Sequence, residues 1–368
     1  MTDEQYMKLA LDIANKGCGF VNPNPMVGAV IVKDGEIIGQ GYHEQYGGFH
    51  AERNAIANCV SSPQGSTIYV SLEPCCHHGK TPPCTEAIIE SGIKKAVIGA
   101  TDPNPLMAGQ GIEELRKCGI EVVTGVLEEE CLKLNEVFFH FIKTKTPYVV
   151  MKYAMTMDGK IAAYTGKSKW ITGEEARRKV HEDRHKYTAI MVGAGTVAAD
   201  DPLLNCRMDG GKNPIRIICD TNLRTSLDSQ IITTSKDIPT IIATSCVDEN
   251  KWQPYIDKSC KILTVSKQDG YIDLRALMIK LGEENIDSIL LEGGSTLNWS
   301  ALKSGIVNKV QAYVAPKIFG GDVSKTPVGG MGVDDPENAF LLTNSTVTML
   351  GEDMLIESEV RKKCSQES

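Results

Sequence analysis

The chain has 368 residues, of which 42% are hydrophobic and 23% charged, and its formal net charge is −8. At about 150 residues per domain, this length predicts two domains, each able to bury a core. The acidic balance argues against a protein that coats nucleic acid, so an anionic ligand must meet a few placed cations or helix N-termini. The acidic start, Met1–Gln5, is not typical of a secretory signal, and no apolar run approaches the ~18 residues of a membrane span. We therefore expect a cytoplasmic protein.

In the first half, short strands alternate with helices, which indicates an α/β sheet with helices on both faces. Thr2 caps the first helix, Thr2–Lys16, and Asp34-Gly35 joins two strands into a hairpin. The predicted strands are Val27–Lys33, Glu36–Gly41, Thr67–Leu72, Lys95–Ala100 and Glu121–Val126. The later helices are Ala51–Val60, Thr85–Ser91, Gly111–Lys117 and Glu128–Ile142. A polar, Pro-ended linker at Lys143–Pro147 then divides the chain into domains 1–145 and 146–368.

The alternation restarts after this linker and predicts a second α/β domain. Its predicted strands are Tyr148–Met155, Ala189–Val192, Ile215–Asp220, Thr240–Thr244, Cys260–Val265, Ser288–Glu292 and Lys309–Ala315. Its predicted helices are Glu174–Tyr187, Leu274–Gly282 and Ser295–Lys303. We expect the tail, Arg361–Ser368, to be frayed because it has no apolar pattern.

The 12 cysteines are many for a cytosolic chain but too sparse for a small disulfide scaffold, so metal binding, catalysis and burial come first. His50 opens a predicted helix, while Cys75 and Cys84 flank a loop that contains Gly and Pro. One imidazole and two thiolates supply three ligands of a tetrahedral zinc ion and leave the fourth position to an activated water. Glu52, two residues past the histidine, is placed to carry protons, as in nucleobase deaminases. The pattern predicts a catalytic zinc site.

Other readings of these residues remain open. Lone His and Cys residues are usually structural, and a closed structural zinc site uses similar ligands. The nucleobase-deaminase signature has Cys-x-x-Cys, whereas a long insertion separates Cys75 from Cys84. Adjacent cysteines rarely reach one ion, so we predict that Cys76 is a buried thiol.

The segment Ser71–Cys84, which reads Ser-Leu-Glu-Pro-Cys-Cys-His-His-Gly-Lys-Thr-Pro-Pro-Cys, resembles the deaminase half of the bifunctional riboflavin-biosynthesis deaminase/reductase family. His50-Ala51-Glu52 belongs to the same resemblance. It implies a three-layer αβα cytidine-deaminase-like fold, zinc on His50, Cys75 and Cys84, and Glu52 as proton shuttle. It also implies substrate contacts from Asn24, His43, His77, Lys80, Thr81, Asp102 and Asn104. Asn24, Asp102 and Asn104 flank prolines, where the alternative role is turn formation.

Two short motifs in the second half suggest other chemistry. His181-Glu182-Asp183-Arg184-His185 matches the zinc-protease helix motif, but charged residues crowd this helix and no third ligand stands out. Gly193-Ala194-Gly195-Thr196-Val197-Ala198 matches a dinucleotide fingerprint, but Asp200-Asp201-Pro202 leaves no room for a full helix. The strand with a candidate ribose-binding acid, Ile215–Asp220, follows a Gly-rich loop instead of a helix. We expect neither a metalloprotease nor a Rossmann unit, although a nucleotide fits near this glycine turn.

Several segments occur in the order found in the reductase half of the same family: Lys152–Ala162, Trp170–Gly173, Val192–Val197, Asp200–Leu204 and Leu291–Gly294. The resemblance implies a dihydrofolate-reductase-like α/β fold. It places NADPH against Ala154, Trp170, Thr196, Asp200, Gly294, Ser295, Thr296, Leu297, Asn298, Trp299 and Ser300. It places substrate against Ser168, Arg184, Leu204, Arg207 and Glu292.

Some of these assignments have alternatives. Arg184 and Arg207 would pair with the ribose phosphate, but an Arg on a charged helix is usually solvated, so Arg207 is the better candidate. Trp170 is either a cofactor contact or a core aromatic. Lys152 is a candidate proton donor, although strand lysines usually solvate an edge. No residue stands out as a contact for the cofactor's 2′-phosphate.

The two resemblances together imply zinc-dependent deamination of 2,5-diamino-6-(5-phosphoribosylamino)pyrimidin-4-one. NADPH-dependent reduction of the ribosyl group of 5-amino-6-(5-phosphoribosylamino)uracil then follows. We expect small-molecule substrates and a homo-oligomer, either a dimer or a tetramer. Two rival functions are a nucleic-acid-editing deaminase and a non-catalytic module with structural zinc. The first requires a basic, aromatic-rich second half, and this chain is acidic with 6% aromatic residues.

Overall fold

The computed structural model describes residues 1–78, 81–104 and 108–361, and the chain divides into two compact units, Met1–Lys145 and Thr146–Ser368. None of the helices in the described ranges combines the length and the apolar composition that crossing a membrane requires. Lys80 and residues 362–368 of the predicted tail lie outside the described residues.

The first unit is built on a mixed sheet with the strand order β2-β1-β3-β4-β5. Its strands are β1 (Gly28–Lys33), β2 (Glu36–Tyr42), β3 (Thr67–Leu72), β4 (Lys95–Ala100) and β5 (Glu121–Thr124). The hairpin partners β1 and β2 are antiparallel, as are β1 and β3, whereas β3, β4 and β5 run parallel. Ile31, Val70 and Val97 are fully buried in its core against Met7 of the first helix.

The helices of the first unit are α1 (Asp3–Ala14), α2 (Ala51–Ala57), α3 (Cys84–Glu90), α4 (Gln110–Lys117), α5 (Glu128–Leu134) and α6 (Glu136–Thr144). Thr2 and Gln5 form a capping box at the start of α1. The prediction of one helix over Glu128–Ile142 is wrong. The chain breaks at Asn135, whose side chain accepts from Met26 N (2.8 Å) and donates to Met26 O (2.9 Å). The predicted linker also begins too early, because α6 continues to Thr144.

The second unit contains a large sheet with the strand order β10-β9-β8-β7-β13-β6-β14-β16-β15 and a small β11-β12 pair. Neighbouring strands from β10 to β14 run parallel, and β14, β16 and β15 are antiparallel. The strands are β6 (Tyr148–Thr156), β7 (Ala189–Gly193), β8 (Ile215–Cys219), β9 (Thr240–Thr244), β10 (Lys261–Thr264), β11 (Lys267–Gln268), β12 (Tyr271–Ile272), β13 (Ser288–Leu291), β14 (Val307–Ala315), β15 (Leu342–Leu350) and β16 (Asp353–Val360). Ile217 and Ile218 pack into different apolar clusters, so both faces of β8 are covered.

The helices of the second unit are α7 (Glu174–Lys186), α8 (Ala194–Asp200), α9 (Gln230–Thr233), α10 (Glu249–Ile256), α11 (Leu274–Glu283) and α12 (Ser295–Lys303). A seven-residue helix, α8, does form after the glycine turn, contrary to expectation, and Asp201 at φ 39° ends it before Pro202. The sequence did not predict α9, α10, β11, β12, β15 and β16. Arg361, the first residue of the predicted frayed tail, donates its backbone N–H to Leu341 O (2.9 Å).

Candidate active sites

The three predicted zinc ligands of the first unit meet at one point. His50 Nδ1 lies 3.5 Å from Cys75 Sγ and 3.5 Å from Cys84 Sγ, and the three ligand atoms all lie within 4.8 Å of one another. Zinc–nitrogen and zinc–sulfur bonds at a tetrahedral angle place the two ligand atoms about 3.6 Å apart. The cluster therefore fits zinc. It is the one such group of His, Cys, Asp and Glu ligands in the described ranges, and Cys76 is not part of it.

Backbone packing brings these ligands together. His50 is the N-cap of α2, which approaches β2 so closely that a Cβ on Gly41 would overlap the backbone of Ala51 and Ala55. On the other side, the amides of Cys84 and Thr85 donate to Cys75 O (3.0 and 3.2 Å), which fixes the start of α3 beside the end of β3. Gly41 and the two backbone hydrogen bonds to Cys75 O therefore bring the three ligands together through protein contacts alone.

Charge is distributed unevenly within the cluster. The hydrogen bond from the Cys84 thiol holds the pKa of Cys75 low, at about 4, and the same bond raises the pKa of Cys84. Burial raises the pKa of Glu52 to about 7. The Glu52 side chain is 3% exposed, and its Oε2 has no hydrogen-bond partner in the described residues. A carboxyl group that changes protonation near neutral pH suits general acid–base catalysis.

Asn24 and His43 form a second polar pair in this unit. His43 is buried, which lowers its pKa, so its ring is neutral at neutral pH. Its Nδ1 lies 3.0 Å from Phe49 O and must carry the proton, so Nε2 accepts from Asn24 Nδ2 at 3.2 Å. The His43 and His50 rings meet edge to face at 5.2 Å. The pair thus lies beside the ligand cluster.

The other predicted substrate residues of this unit are placed less uniformly. Asp102 Oδ1 accepts from Asn104 N (2.8 Å), so Asp102 does form the turn that was the alternative to substrate binding. Both side chains stay partly exposed, as does Thr81, while His77 is exposed. Cys76 is partly rather than fully buried. The sequence reading missed Glu73, whose buried carboxylate accepts four backbone N–H groups.

In the second unit, a cavity of about 680 Å³ opens where β6, β13, β7 and β8 end. Ligands of open α/β sheets bind at this carboxyl edge. Eleven of the 16 predicted reductase residues line it: Ala154, Ser168, Thr196, Asp200, Glu292, Gly294, Ser295, Thr296, Leu297, Asn298 and Ser300. The resemblance therefore selected residues that share one cavity.

The other five predicted residues do not line the cavity. Trp170 is 62% exposed with the Arg177 guanidinium 4.7 Å from its ring centre, so the core alternative is wrong. Trp299 packs against Phe340, and Leu204 is buried in an apolar cluster. Arg207 is exposed, and its Nε donates to Asn205 Oδ1 (3.3 Å).

Arg184, the fifth of these residues, is not solvated. Its Nε and Nη2 donate to Glu292 Oε1 (2.9 Å) and Oε2 (3.0 Å), and its Nη1 donates to Asn205 O (3.1 Å). Lys152 Nζ lies 3.8 Å from the same carboxylate, and all three side chains are 11–13% exposed. Burial lowers the pKa of Lys152. Lys152 and Glu292 both line the cavity, so two cations and one anion meet at its wall.

Gly294, which has no side chain, keeps the cavity open at the start of α12. It precedes α12 with φ 127°, a conformation that L side chains rarely adopt, and a Cβ there would lie 2.8 Å from Thr196 Oγ1. Thr196 in turn donates to Gly293 O (2.8 Å), which ties α8 to the turn. The N-terminus of α12 thus faces open space with its amides available to phosphate. The residues present fit a dinucleotide.

The far end of the cavity contains residues that the sequence reading missed: Thr221, Arg224 and Tyr271. They follow β8 or belong to β12. Asp220, the candidate ribose-binding acid, is 1% exposed, and its Oδ2 accepts from the amides of Arg224 and Thr225. It organises the turn that presents Arg224. These residues can be assigned to the cavity only once the position of β8 in the sheet is known. The sequence alone does not give that position.

The zinc-protease motif does not form a metal site. His185 Nδ1 accepts from Lys212 N (3.0 Å), and the described residues contain no ligand group around His181.

A metal-ligand cluster beside a buried carboxylate, and a dinucleotide-sized cavity in a separate unit, define a zinc deaminase joined to a nucleotide-dependent reductase. Residues 1–100 match the model of the cytidine and deoxycytidylate deaminase zinc-binding region, and residues 147–356 match the RibD C-terminal domain. The riboflavin biosynthesis protein RibD of Actinobacillus pleuropneumoniae is 54% identical over 97% of this chain and 95% of its own length. The chain belongs to the RibD family, and it is a deaminase and reductase of riboflavin biosynthesis that uses zinc and NADPH.

Two solved structures are similar along almost the whole chain. RibD of Acinetobacter baumannii has a TM-score of 0.88 at 33% identity, with 98% of this chain and 99% of that chain covered. A diaminohydroxyphosphoribosylaminopyrimidine deaminase/5-amino-6-(5-phosphoribosylamino)uracil reductase from Thermotoga maritima has a TM-score of 0.86 at 42% identity, with the same coverage. The predicted combination of a cytidine-deaminase-like and a dihydrofolate-reductase-like fold is confirmed. A nucleic-acid-binding appendage is not supported, because the second unit matches a reductase domain.

Proposed function

We propose that this enzyme divides its two reactions between its two units, with deamination in residues 1–145 and reduction in residues 146–368. The first reaction is hydrolytic deamination of 2,5-diamino-6-(5-phosphoribosylamino)pyrimidin-4-one. The second is reduction of the ribosyl group of 5-amino-6-(5-phosphoribosylamino)uracil to ribityl. The observation that carries the first assignment is the His50 Nδ1 position, 3.5 Å from both Cys75 Sγ and Cys84 Sγ beside buried Glu52.

At the first site, His50, Cys75 and Cys84 hold the zinc ion, which supplies an activated water when bound. Glu52 takes a proton from the nucleophile and delivers protons to the departing ammonia. Its Oε2 lacks a protein partner in the described residues and is therefore available for this transfer. A pKa of about 7, raised by burial, allows both directions of transfer near neutral pH.

Substrate at this site is held by neutral polar groups and by the loop after β4. Because His43 Nε2 accepts from its amide nitrogen, the Asn24 carbonyl oxygen is oriented to accept from a pyrimidine N–H. Asp102 and Asn104, which follow β4, contact the substrate. His77, Lys80 and Thr81, which lie between the two cysteine ligands in the sequence, contact the phosphoribosyl part. His77 is exposed, so its ring is accessible to substrate when substrate binds.

At the second site, NADPH supplies the hydride when bound. Neighbouring strands lie about 4.8 Å apart, so the edge from β6 to β8 extends ~14 Å, which an extended dinucleotide spans. Ala154, with Trp170 nearby, would hold the nicotinamide, and Thr196, Asp200 and Gly294–Ser300 would hold the diphosphate. Thr221 and Tyr271 would hold the adenosine. Arg224, an exposed residue that lines this end of the cavity, binds the 2′-phosphate.

The reducible sugar lies on the Lys152 side of the cavity. Lys152 donates the proton that accompanies hydride transfer, and burial, which lowers its pKa, makes it a stronger acid. Glu292 orients Lys152, and Ser168, whose hydroxyl donates to Asp200 Oδ1 (3.2 Å), contacts the substrate. Since Glu292 and Asn205 occupy the Arg184 guanidinium, Arg207 takes the ribose phosphate, while Arg184 and Leu204 shape its approach.

We also propose that the chain forms a homo-oligomer in the cytoplasm. Strand β15 ends the large sheet and exposes apolar side chains, with Val347 62% and Met349 59% exposed, and such an edge favours pairing with a second chain. The 11 cysteines of the described residues are all free thiols, which suits a reducing compartment.

The proposal is tested by incubating the enzyme with the diaminopyrimidine substrate and NADPH while following ammonia and NADPH oxidation together. Ammonia release followed by an equal amount of NADPH oxidation supports it. Ammonia without oxidation would limit the activity to the first unit, and oxidation that precedes ammonia would reverse the proposed order.

A further inference from the structure

Glu73 lies between the end of β3 and the zinc ligand Cys75, and none of the steps above uses it. Its side chain is 6% exposed. Its Oε2 accepts from Asp102 N (3.1 Å) and Gly109 N (3.0 Å), and its Oε1 accepts from Gly111 N (3.0 Å) and Ile112 N (3.3 Å). All four donors are backbone amides of one stretch of chain, 29 to 39 residues away.

This arrangement explains how a carboxylate is buried here. An ionised carboxylate loses much hydration energy on burial unless hydrogen bonds replace its water. The amides of Gly111 and Ile112 belong to the first turn of α4, which favours a negative charge. The approach is close, because a Cβ on Gly111 would overlap Pro74 O. The start of α4 is therefore held directly against the strand end that carries Cys75.

The same carboxylate controls the loop that presents two of the proposed substrate contacts. Asp102 donates its amide to Glu73, and Asp102 Oδ1 accepts from Asn104 N (2.8 Å). Asn104 O in turn accepts from Ala108 N (2.8 Å), which adjoins the second anchored stretch. Residues 101–104 and 108–112 are thus tied to Glu73 on both sides, so their distance from Cys75 depends on this side chain.

We propose that Glu73 is a positioning residue of the deaminase site, which sets the Asp102–Asn104 segment at its working distance from the zinc ligands. The inference rests on the proposed function, since Asp102 and Asn104 contact substrate there. Loss of the anchor weakens substrate binding more than it slows the chemical step. Glu52, His50 and Cys84 stand on other elements. Cys75 follows Glu73 on the same segment, but the amides of Cys84 and Thr85, which donate to Cys75 O (3.0 and 3.2 Å), hold it separately.

Glu73→Gln tests this in the full chain loaded with zinc. The amide turns one acceptor oxygen into a donor that faces backbone N–H groups. We expect KM of deamination to rise by about tenfold or more, while kcat, zinc content and reduction of pre-deaminated substrate stay near wild type. Glu121→Gln, at a side chain that is 67% exposed, is the matched control and should change none of these values. If Glu73→Gln loses zinc, Glu73→Asp is the deciding variant. A raised KM at full zinc content in Glu73→Asp supports the proposal, and an unchanged KM contradicts it.

A double-mutant cycle with Asp102→Asn separates this proposal from the substrate assignment. If Glu73 acts through the segment, the two effects on KM combine to less than their product. Wild-type KM in Glu73→Gln overturns the proposal, and so does a fall in kcat at unchanged KM. If Asp102→Asn alone leaves KM unchanged, its substrate contact is wrong, whereas a raised KM in Glu73→Gln still supports positioning through Asn104.

Discussion

Arg184 and Glu292, 108 residues apart in the sequence, form a two-point ion pair at the wall of the second unit's cavity. Nε to Oε1 measures 2.9 Å and Nη2 to Oε2 measures 3.0 Å. Burial alone would raise the pKa of Glu292, but Arg184 and Lys152 outweigh burial and lower it to about 2. The carboxylate is therefore ionised across the range in which an enzyme works, and it holds Lys152 at the cavity wall, where we propose that substrate is reduced.

Glu292→Gln should destabilise the second unit in a pH-dependent way. Removing one partner of a buried ion pair costs about 3 kcal/mol, so the variant is less stable than wild type near neutral pH. The folded pKa of Glu292, about 2, lies below the ordinary 4.5, so its contribution is full above pH ~4.5 and is lost as the pH falls toward ~2. Urea unfolding over this range should show the difference shrinking. Glu182→Gln, at a side chain that is 46% exposed, is the control, and a difference that stays constant with pH would contradict the account.

Lys152→Met should remove the proton donor of the reductase. We expect kcat of reduction to fall by about 10²–10⁴-fold because a positioned general acid contributes that much, while ammonia release is unchanged. Steady-state rates with pre-deaminated substrate measure the effect. Lys167→Met, at an exposed lysine of the same unit, serves as control. Full reductase activity in Lys152→Met would remove this residue from the mechanism.

Arg224→Ala should change cofactor selectivity. A guanidinium–phosphate contact contributes about 1.5–3 kcal/mol, so KM for NADPH should rise by about 10- to 100-fold while KM for NADH, which lacks the phosphate, is unchanged. Kinetics with both cofactors measure the ratio, and Arg178→Ala at an exposed position of α7 is the matched control. An equal loss with both cofactors would place Arg224 elsewhere in the site.

Cys84→Ser should abolish zinc binding and deamination together, because Cys84 is one of three ligands. Metal analysis and ammonia release measure the two losses. Reduction of pre-deaminated substrate should continue, since no ligand belongs to residues 146–368 in the described ranges. Cys118→Ser, at an exposed thiol, should leave both activities intact. Deamination by a zinc-free variant would refute the metal assignment.

Local sequence patterns predicted much of this fold and of the zinc site. The bounds of β3, β4 and α12 are as predicted, because glycine turns precede all three and the two strands are short apolar segments that are buried almost throughout. His50, Cys75 and Cys84 were recognisable because one imidazole and two thiols, with Glu52 two residues past the histidine, are the groups that a catalytic zinc site needs, even though the spacing of the two cysteines is unusual. Strand β15 was missed because its side chains are mostly exposed and five of its nine residues are Thr, Asn or Ser.

The remaining misses depend on long-range contacts. Glu73 is bound only by backbone amides of a distant segment, which leave no side-chain pattern. Asn135 breaks a helix because of Met26, 109 residues earlier in the chain. Arg224 reaches the cavity because β8 lies beside β7, and strand order is set by tertiary packing rather than by local propensity.

The central claim, that Glu52 moves the protons of deamination and that reduction proceeds elsewhere, is tested most directly by one measurement on Glu52→Gln in the full chain. Ammonia release from the diaminopyrimidine and NADPH oxidation with pre-deaminated substrate are followed in parallel. We expect ammonia release to fall by about 10²–10⁴-fold, with zinc content and NADPH oxidation at wild-type levels. Ammonia release at the wild-type rate would contradict it.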